Sequence, residues 1–319
     1  MKLKKSDSAC EAVIKTPQKK SGLSLSFKKN IYFYIFLLPM LALTLVFYYL
    51  PMPGVLISFM EYDIFKGFSS PWTGWANFRE LFELPLFTES LKNTVMLSVL
   101  NMVIIFPAPI IFALLLNEIK FSPFKRIVQT VSYLPHFISW IAVIGMAYSL
   151  YSTDGIINDI RVSLFGEGTE RLRFLADQGF LIPNILILSL WKGVGWSSII
   201  YLAAISGIDS QLYEAAQVDG ASRFKQCIHI TIPSILPTAV MLFLLQIGSI
   251  FKDNFDLIYG LQNAYIDFET ISTVVYKQGI QSGNYSMSTA IGLFQGGIGF
   301  ALVVIANWLS KKVNDVALW

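Results

Sequence analysis

Residues Glu214 to Pro233 read EAAQVDGASRFKQCIHITIP, a short polar island between two long apolar runs. It starts on a helix-forming acid-alanine-alanine triplet, is interrupted at Gly220, and closes on Ile230 and Pro233 where the next apolar run begins. Asp209 or Ser210 can cap a helix here by accepting backbone N–H bonds. Leu212, Ala215 and Ala216 then share one face by three- and four-residue spacing. Alanines keep that face thin, so another protein's backbone can come close, and Glu214 adds a charge. Gly220 permits the left-handed turn that ends a helix, and a second helical piece leads to Pro233. The stretch therefore reads as a compact helix-turn-helix lying under a membrane; the alternative is an ordinary interfacial amphipathic helix.

The membrane follows from composition. Of 319 residues, 54% are hydrophobic and only 14% charged, where a soluble protein carries about a quarter charged residues. Six apolar stretches are long enough for a bilayer, which needs about 20 residues. They cover 31–50, 93–116, 127–151, 180–205, 232–251 and 287–309. Only helices and closed barrels satisfy their backbone in lipid, and continuous runs of this length argue for helices, because barrel strands alternate over about ten residues. The expected fold class is all-α integral membrane, with six transmembrane helices and a cytoplasmic loop at 208–232. No cleavable signal peptide is evident, because a polar segment precedes the first run and no small-residue cleavage site follows it. The two cysteines, Cys10 and Cys227, lie in the tail and in the polar island, which makes a disulfide framework implausible.

Orientation follows from lysine and arginine placement. With six spans, the lysines of residues 1–30, then Lys120, Lys125 and Arg126, then Arg223 and Lys225, then Lys311 and Lys312 all fall on one side. The opposite loops are longer and less basic. Both termini are thus expected in the cytoplasm: a basic tail over 1–30, a membrane domain over 31–310, and a short tail over 311–319. The N-terminal lysines would hold orientation and touch anionic lipid. Trp72, Trp75, Phe78, Phe82 and Phe87 in the first outer loop suit either an interfacial belt or contact with a partner. The segments 151–179 and 252–286 are polar and can carry short helices.

The island resembles the cytoplasmic loop by which permeases of bacterial ABC importers dock on their ATPase subunits. The family spacing is Glu-Ala-Ala, three residues, Gly, nine residues, Ile, one residue, Leu-Pro. Glu214, Ala215, Ala216, Gly220, Ile230 and Pro233 match, and Ile232 replaces Leu. The resemblance covers nearly the whole chain after Lys28, and is to carbohydrate permeases of the maltose-transporter class, polysaccharide type. The strings that carry it include PMPG at 51–54, WTGWANF at 72–78, ALLLNE at 113–118, QTVSYLPHFISW at 129–140 and GWSSIIYLAA at 195–204. Where family members carry an acid-rich stretch with Asn-Pro after the fifth span, residues 252–268 read KDNFDLIYGLQNAYIDF.

This resemblance implies a type I ABC importer permease fold in the bacterial cytoplasmic membrane and a heterodimer with a second, related permease. It implies two ATPase subunits binding ATP and Mg, and an external solute-binding lipoprotein that delivers an oligosaccharide. Glu214, Ala215, Ala216, Asp219 and Gly220 would couple to the ATPase. No P-loop occurs, so the chain is not itself expected to be an enzyme, to hold a cofactor or to bind nucleic acid. Positions matching the sugar-lining residues of the maltose transporter are Ser189, Lys192, Gly193 and Trp196, and further on Gln246, Ser249 and Asp253.

Lys192 is the unusual member. It lies about 12 residues into the fourth span, roughly 18 Å along a helix, where insertion scales charge a lysine about 2.5–3.5 kcal/mol. It can hold an anionic group of the cargo, such as a carboxylate or sulfate, or form a structural pair with Asp253 or the partner permease. Trp191 and Trp196 can stack on sugar rings or simply pack. His136 reads as a packing histidine, His229 carries no assigned chemistry, and nothing has metal-ligand or nucleophile-base spacing. The competing functions are an ABC permease for a non-sugar solute and an ion-coupled carrier or channel; the latter leaves the island unexplained.

Overall fold

In a computed structural model, residues 30–314 are described. The lysines through Lys29, and residues 315–319 of the expected C-terminal tail, lie outside them. The chain divides into two units, Met1–Gly54 and Val55–Trp319. In the first, a helix over Ile31–Thr44 passes into a π turn over Leu45–Tyr49 and buries none of its side chains.

Among the described residues, five helices are long and apolar enough to cross a membrane: Ile31–Phe59, Pro85–Glu118, Gln178–Ser206, Arg223–Ile247 and Tyr285–Lys312. A sixth candidate crossing is a broken pair, Ser122–Phe137 and Trp140–Phe165, bent by 104°. The expected straight helix over 127–151 is therefore replaced by two pieces, and the last helix runs on through Asn314.

Prolines explain much of the irregularity. A proline inside a helix lacks an N–H and clashes with the carbonyl four residues back. The π turn Asn101–Ile105 stands just before Pro107, and the π turn Cys227–Thr231 just before Pro233. In each, a widened turn surrounds the carbonyl that the ring would strike, and the helix continues. At Pro135 the chain breaks instead. A 3-10 turn over Leu134–Phe137 leads into extended residues, and Ser139 caps the new helix by accepting from the Ala142 N–H.

Lipid offers no hydrophobic gain for helix association, so close packing over small residues takes its place. A Cβ on Gly195 would lie 2.2 Å from the Ser132 carbonyl oxygen, so the fourth span crosses the first half of the broken third in backbone contact. A Cβ on Gly248 would meet Val303 at 2.5 Å, and one on Gly299 would lie 3.2 Å from the Gly248 oxygen, which brings the top of the fifth span against the sixth.

The segment 252–286 is more than a polar connector. Its helices Phe255–Leu261 and Ile271–Tyr276 bury Leu257, Ile258, Leu261, Ile271 and Val274. The first of them shares a core with Val143, Ala147, Ile185 and Leu188 of the third and fourth spans. The outer-loop aromatics also turn inward in part. Phe82 and Phe87 pack edge-on against Phe294, while Trp72, Trp75 and Phe78 gather round Phe59. Trp72 and Trp75 stay more than half exposed.

Candidate functional site

Two places carry the expected functional residues: the polar island and a group of clefts at the ends of broken helices.

The island folds as two short helices. Asp209 accepts from the Gln211 N–H at 3.0 Å to start Ser210–Val218, and Ser222 accepts from Lys225 to start Arg223–Gln226. Between them Gly220 sits at φ +75°, a region open to glycine but strained for other residues. The turn closes by a 2.8 Å bond from the Ala221 N–H to the Ala216 carbonyl. Tyr213 and Thr231 join the two arms through their hydroxyls at 2.9 Å. Arg223 pairs with Glu118 at the end of the second span, 3.2 Å away. Glu214, Ala215, Asp219 and Gly220 are exposed, and Ala216 is half-buried. Glu214 takes part in none of the ion pairs among the described residues. Leu212, Val218 and Phe224 are exposed apolar side chains on the same small element, Val218 at 88%.

The clefts meet at Gln246, the last residue but one of the fifth span. A mostly apolar one of 540 Å3 is lined by Gly193, Trp196, Leu242 and Gln246. A polar, open one of 570 Å3 is lined by Asn101, Trp140, Gln246, Lys252, Asp253 and Asp256. A small one of 60 Å3 shares Asn101, Gln246 and Lys252 and adds Ser249. Five of the seven expected sugar-lining positions, Gly193, Trp196, Gln246, Ser249 and Asp253, thus lie on one connected surface. Ser189 lines none of these clefts.

Irregular backbone explains the location. The fifth span stops at Ile247, and the chain turns through 248–254 before the next helix. Non-helical backbone at such depth is tolerated where it is buried in protein or lines a cavity. Neighbouring spans supply donors: the Ser98 hydroxyl to the Ile250 carbonyl, and the Gln295 amide to the Phe251 carbonyl. Asn101 begins the π turn of the second span, and Trp140 begins the helix after the break in the third.

Lys192 is turned away from the clefts. Its ammonium donates to the His136 carbonyl at 2.7 Å, to that of Ile138, and to that of Pro135 at 3.4 Å. It also sits 5.2 Å from the centre of the Trp140 ring. The side chain is buried, and no pair with Asp253 forms. The carbonyls released by the break at Pro135 thereby find their donor in this lysine, as buried backbone acceptors require. Asp253 is held by the Ser272 hydroxyl, and its second oxygen is buried without a partner. His136 stacks on Trp196 with ring centres 4.5 Å apart and planes 3° from parallel.

Asn101, Trp140, Lys252 and Asp256, with Asn254 beside them in the polar cleft, are lining residues that no sequence expectation covers. A signal existed for Asn101: it is a polar residue in a long apolar run, six residues before Pro107. Lys252 follows directly on the apolar run 232–251 and carries no local signal that it borders a cleft.

Residues 105–315 match the family model described as a binding-protein-dependent transport system inner membrane component. The polygalacturonan/rhamnogalacturonan transport system permease protein YteP of Bacillus subtilis (strain 168) is 41% identical, over 98% of this chain and 97% of the relative. Protein LplB of the same organism is 40% identical, over 97% and 98%. Among solved structures, a chain of a bacterial alginate ABC transporter in complex with an alginate pentasaccharide-bound periplasmic protein superposes with a TM-score of 0.84. It is 34% identical, over 93% of this chain and 99% of that one.

Proposed function

The chain belongs to the family of binding-protein-dependent transport system inner membrane components and is a permease subunit of an oligosaccharide ABC importer; we propose that its cargo is an acidic oligosaccharide. It is a multi-pass inner-membrane protein, works with a binding protein and ABC partner subunits, and leaves ATP to those partners. The similar proteins are named for polygalacturonan/rhamnogalacturonan and alginate, polysaccharides that contain uronic acids. A non-sugar cargo is disfavoured by the names of the similar proteins, and an ion-coupled carrier leaves the island at 214–233 without a role.

The observation that carries the reading is the polar cleft beside Gln246. It combines an aromatic ring at Trp140, amides at Asn101 and Gln246 and a lysine at 252. Those groups suit a sugar's ring face, its hydroxyls and its carboxylate. Five positions expected from the resemblance, Gly193, Trp196, Gln246, Ser249 and Asp253, would form the wall along which the cargo moves. The island would seat in an ATPase subunit through Glu214, Ala215, Ala216, Asp219 and Gly220. A second permease would complete the pathway as a heterodimer, with two ATPase subunits below and a lipid-anchored binding protein above. Both termini would be cytoplasmic.

Deleting the chain from its host tests this. Growth on a mixture of galacturonate oligosaccharides should stop, while growth on monomeric galacturonate continues. Undiminished growth on the oligosaccharides would overturn the reading.

A further inference from the structure

We propose that Lys252 is the cation that reads the charge of the cargo inside the membrane, an inference resting on the acidic-oligosaccharide reading above. Lys252 borders both polar clefts. Its side chain is exposed and belongs to none of the ion pairs among the described residues. Its backbone is anchored, with the N–H donating to the Ser249 carbonyl at 2.8 Å. The ammonium therefore stands on a fixed turn with its charge uncommitted.

The alternatives near it are used up. Lys192, the other cation close to Trp140, spends its three protons on the carbonyls of Pro135, His136 and Ile138. Asp253, next in the chain, is engaged by Ser272 and does not neutralise Lys252. Asp256 borders the same cleft without pairing with Lys252. A carboxylate entering the cleft meets one free ammonium and two carboxyl groups, so its place is set next to the lysine and away from the acids. Asn101 and Gln246 stand beside the same lysine in both clefts and can bond the adjoining hydroxyls. Charge-assisted bonds are about twice as strong as neutral ones. A uronate would be held here in preference to its neutral counterpart.

The test uses the whole importer, with the partner permease, ATPase subunits and binding protein, reconstituted in vesicles. The probe is a galacturonate tetrasaccharide. Lys252→Gln should lower its uptake by about tenfold, the equivalent of about 1.4 kcal/mol, and Lys252→Glu should lower it further. Lys252→Arg, which keeps the charge, should retain most of the uptake. Co-purification of the subunits should match wild type in all three. Wild-type uptake by Lys252→Glu would overturn the proposal, as would equal loss in all three variants with reduced co-purification, which marks a structural role. If the wild-type importer itself ignores the tetrasaccharide, the acidic-cargo reading falls first, and the two failures are told apart.

Discussion

Lys192 on the fourth span holds the His136 carbonyl of the broken third span at 2.7 Å. The His136 ring in turn lies flat on Trp196, one helical turn beyond the lysine. The break at Pro135 is thus fastened to the fourth span by a charged hydrogen bond and an aromatic stack. Both fastenings stand next to cleft walls, through Trp140 on one side and Trp196 on the other. A lysine that is costly in a membrane is kept because a broken helix leaves carbonyls that need a donor.

The first prediction concerns that lysine. Lys192→Met removes the donor and leaves buried carbonyl oxygens unsatisfied, at about 1–3 kcal/mol for each acceptor. The purified importer should melt at lower temperature, and uptake should fall for acidic and neutral oligosaccharides alike. Thermal unfolding followed with both cargo types checks this. An unchanged melting temperature with a loss confined to acidic cargo would return Lys192 to the role of a sugar contact.

Two glycines on the same helix should behave oppositely. Gly195→Ala drives a methyl group into the Ser132 backbone, which cannot swing aside as a side chain would. Overpacking of this kind costs about 1–3 kcal/mol, and the variant should accumulate poorly in the membrane. Gly193→Ala meets nothing within 4 Å and should fold normally. Immunoblots of membrane fractions and melting temperatures compare the two directly.

Most of the spans were legible because lipid imposes a composition that a sequence must display. The break in the third span was not, since the apolar run passes straight through Leu134–Ile138 and a proline can sit in a membrane helix. Lys192 illustrates the same limit. Its depth and expense could be read from the chain, but its acceptors are backbone carbonyls, and these exist only once the helix has broken. The island was readable down to the turn at Gly220, because a left-handed residue and its flanking caps are local chemistry. The clefts join residues 101, 140, 246 and 252 across three spans, and no local pattern ties those together.

Orientation gives the third prediction. Positive charge on the loops after the second and fourth spans would place those loops, and both termini, in the cytoplasm. In a variant lacking Cys10 and Cys227, a cysteine at the exposed Glu170 should react with an impermeant maleimide added to intact cells. One at Lys19 should react only after the membrane is opened. The opposite pattern would invert the whole assignment, including the side on which the island meets ATP.

The last prediction separates docking from folding in the island. Glu214 is exposed and has no ion pair within the described residues, so its charge is available to another chain. Glu214→Lys should leave the two short helices intact, because the caps at Asp209 and Ser222 and the Tyr213–Thr231 tie do not involve it. Reversing a charge at an interface turns attraction to a partner's opposite charge into repulsion. Co-purified ATPase should therefore drop by about tenfold or more, about 1.4 kcal/mol of binding. Gly220→Val acts differently. Space around the residue is open, with nothing within 4 Å of a Cβ. Its cost comes from the left-handed backbone, which disfavours a β-branched residue. The turn should open and move the two arms apart, so docking is lost together with the Ala221–Ala216 bond. Protease protection of the island then tells the variants apart: Glu214→Lys should keep the wild-type pattern and Gly220→Val should lose it. Full ATPase co-purification and uptake in both variants would remove the island from the coupling path.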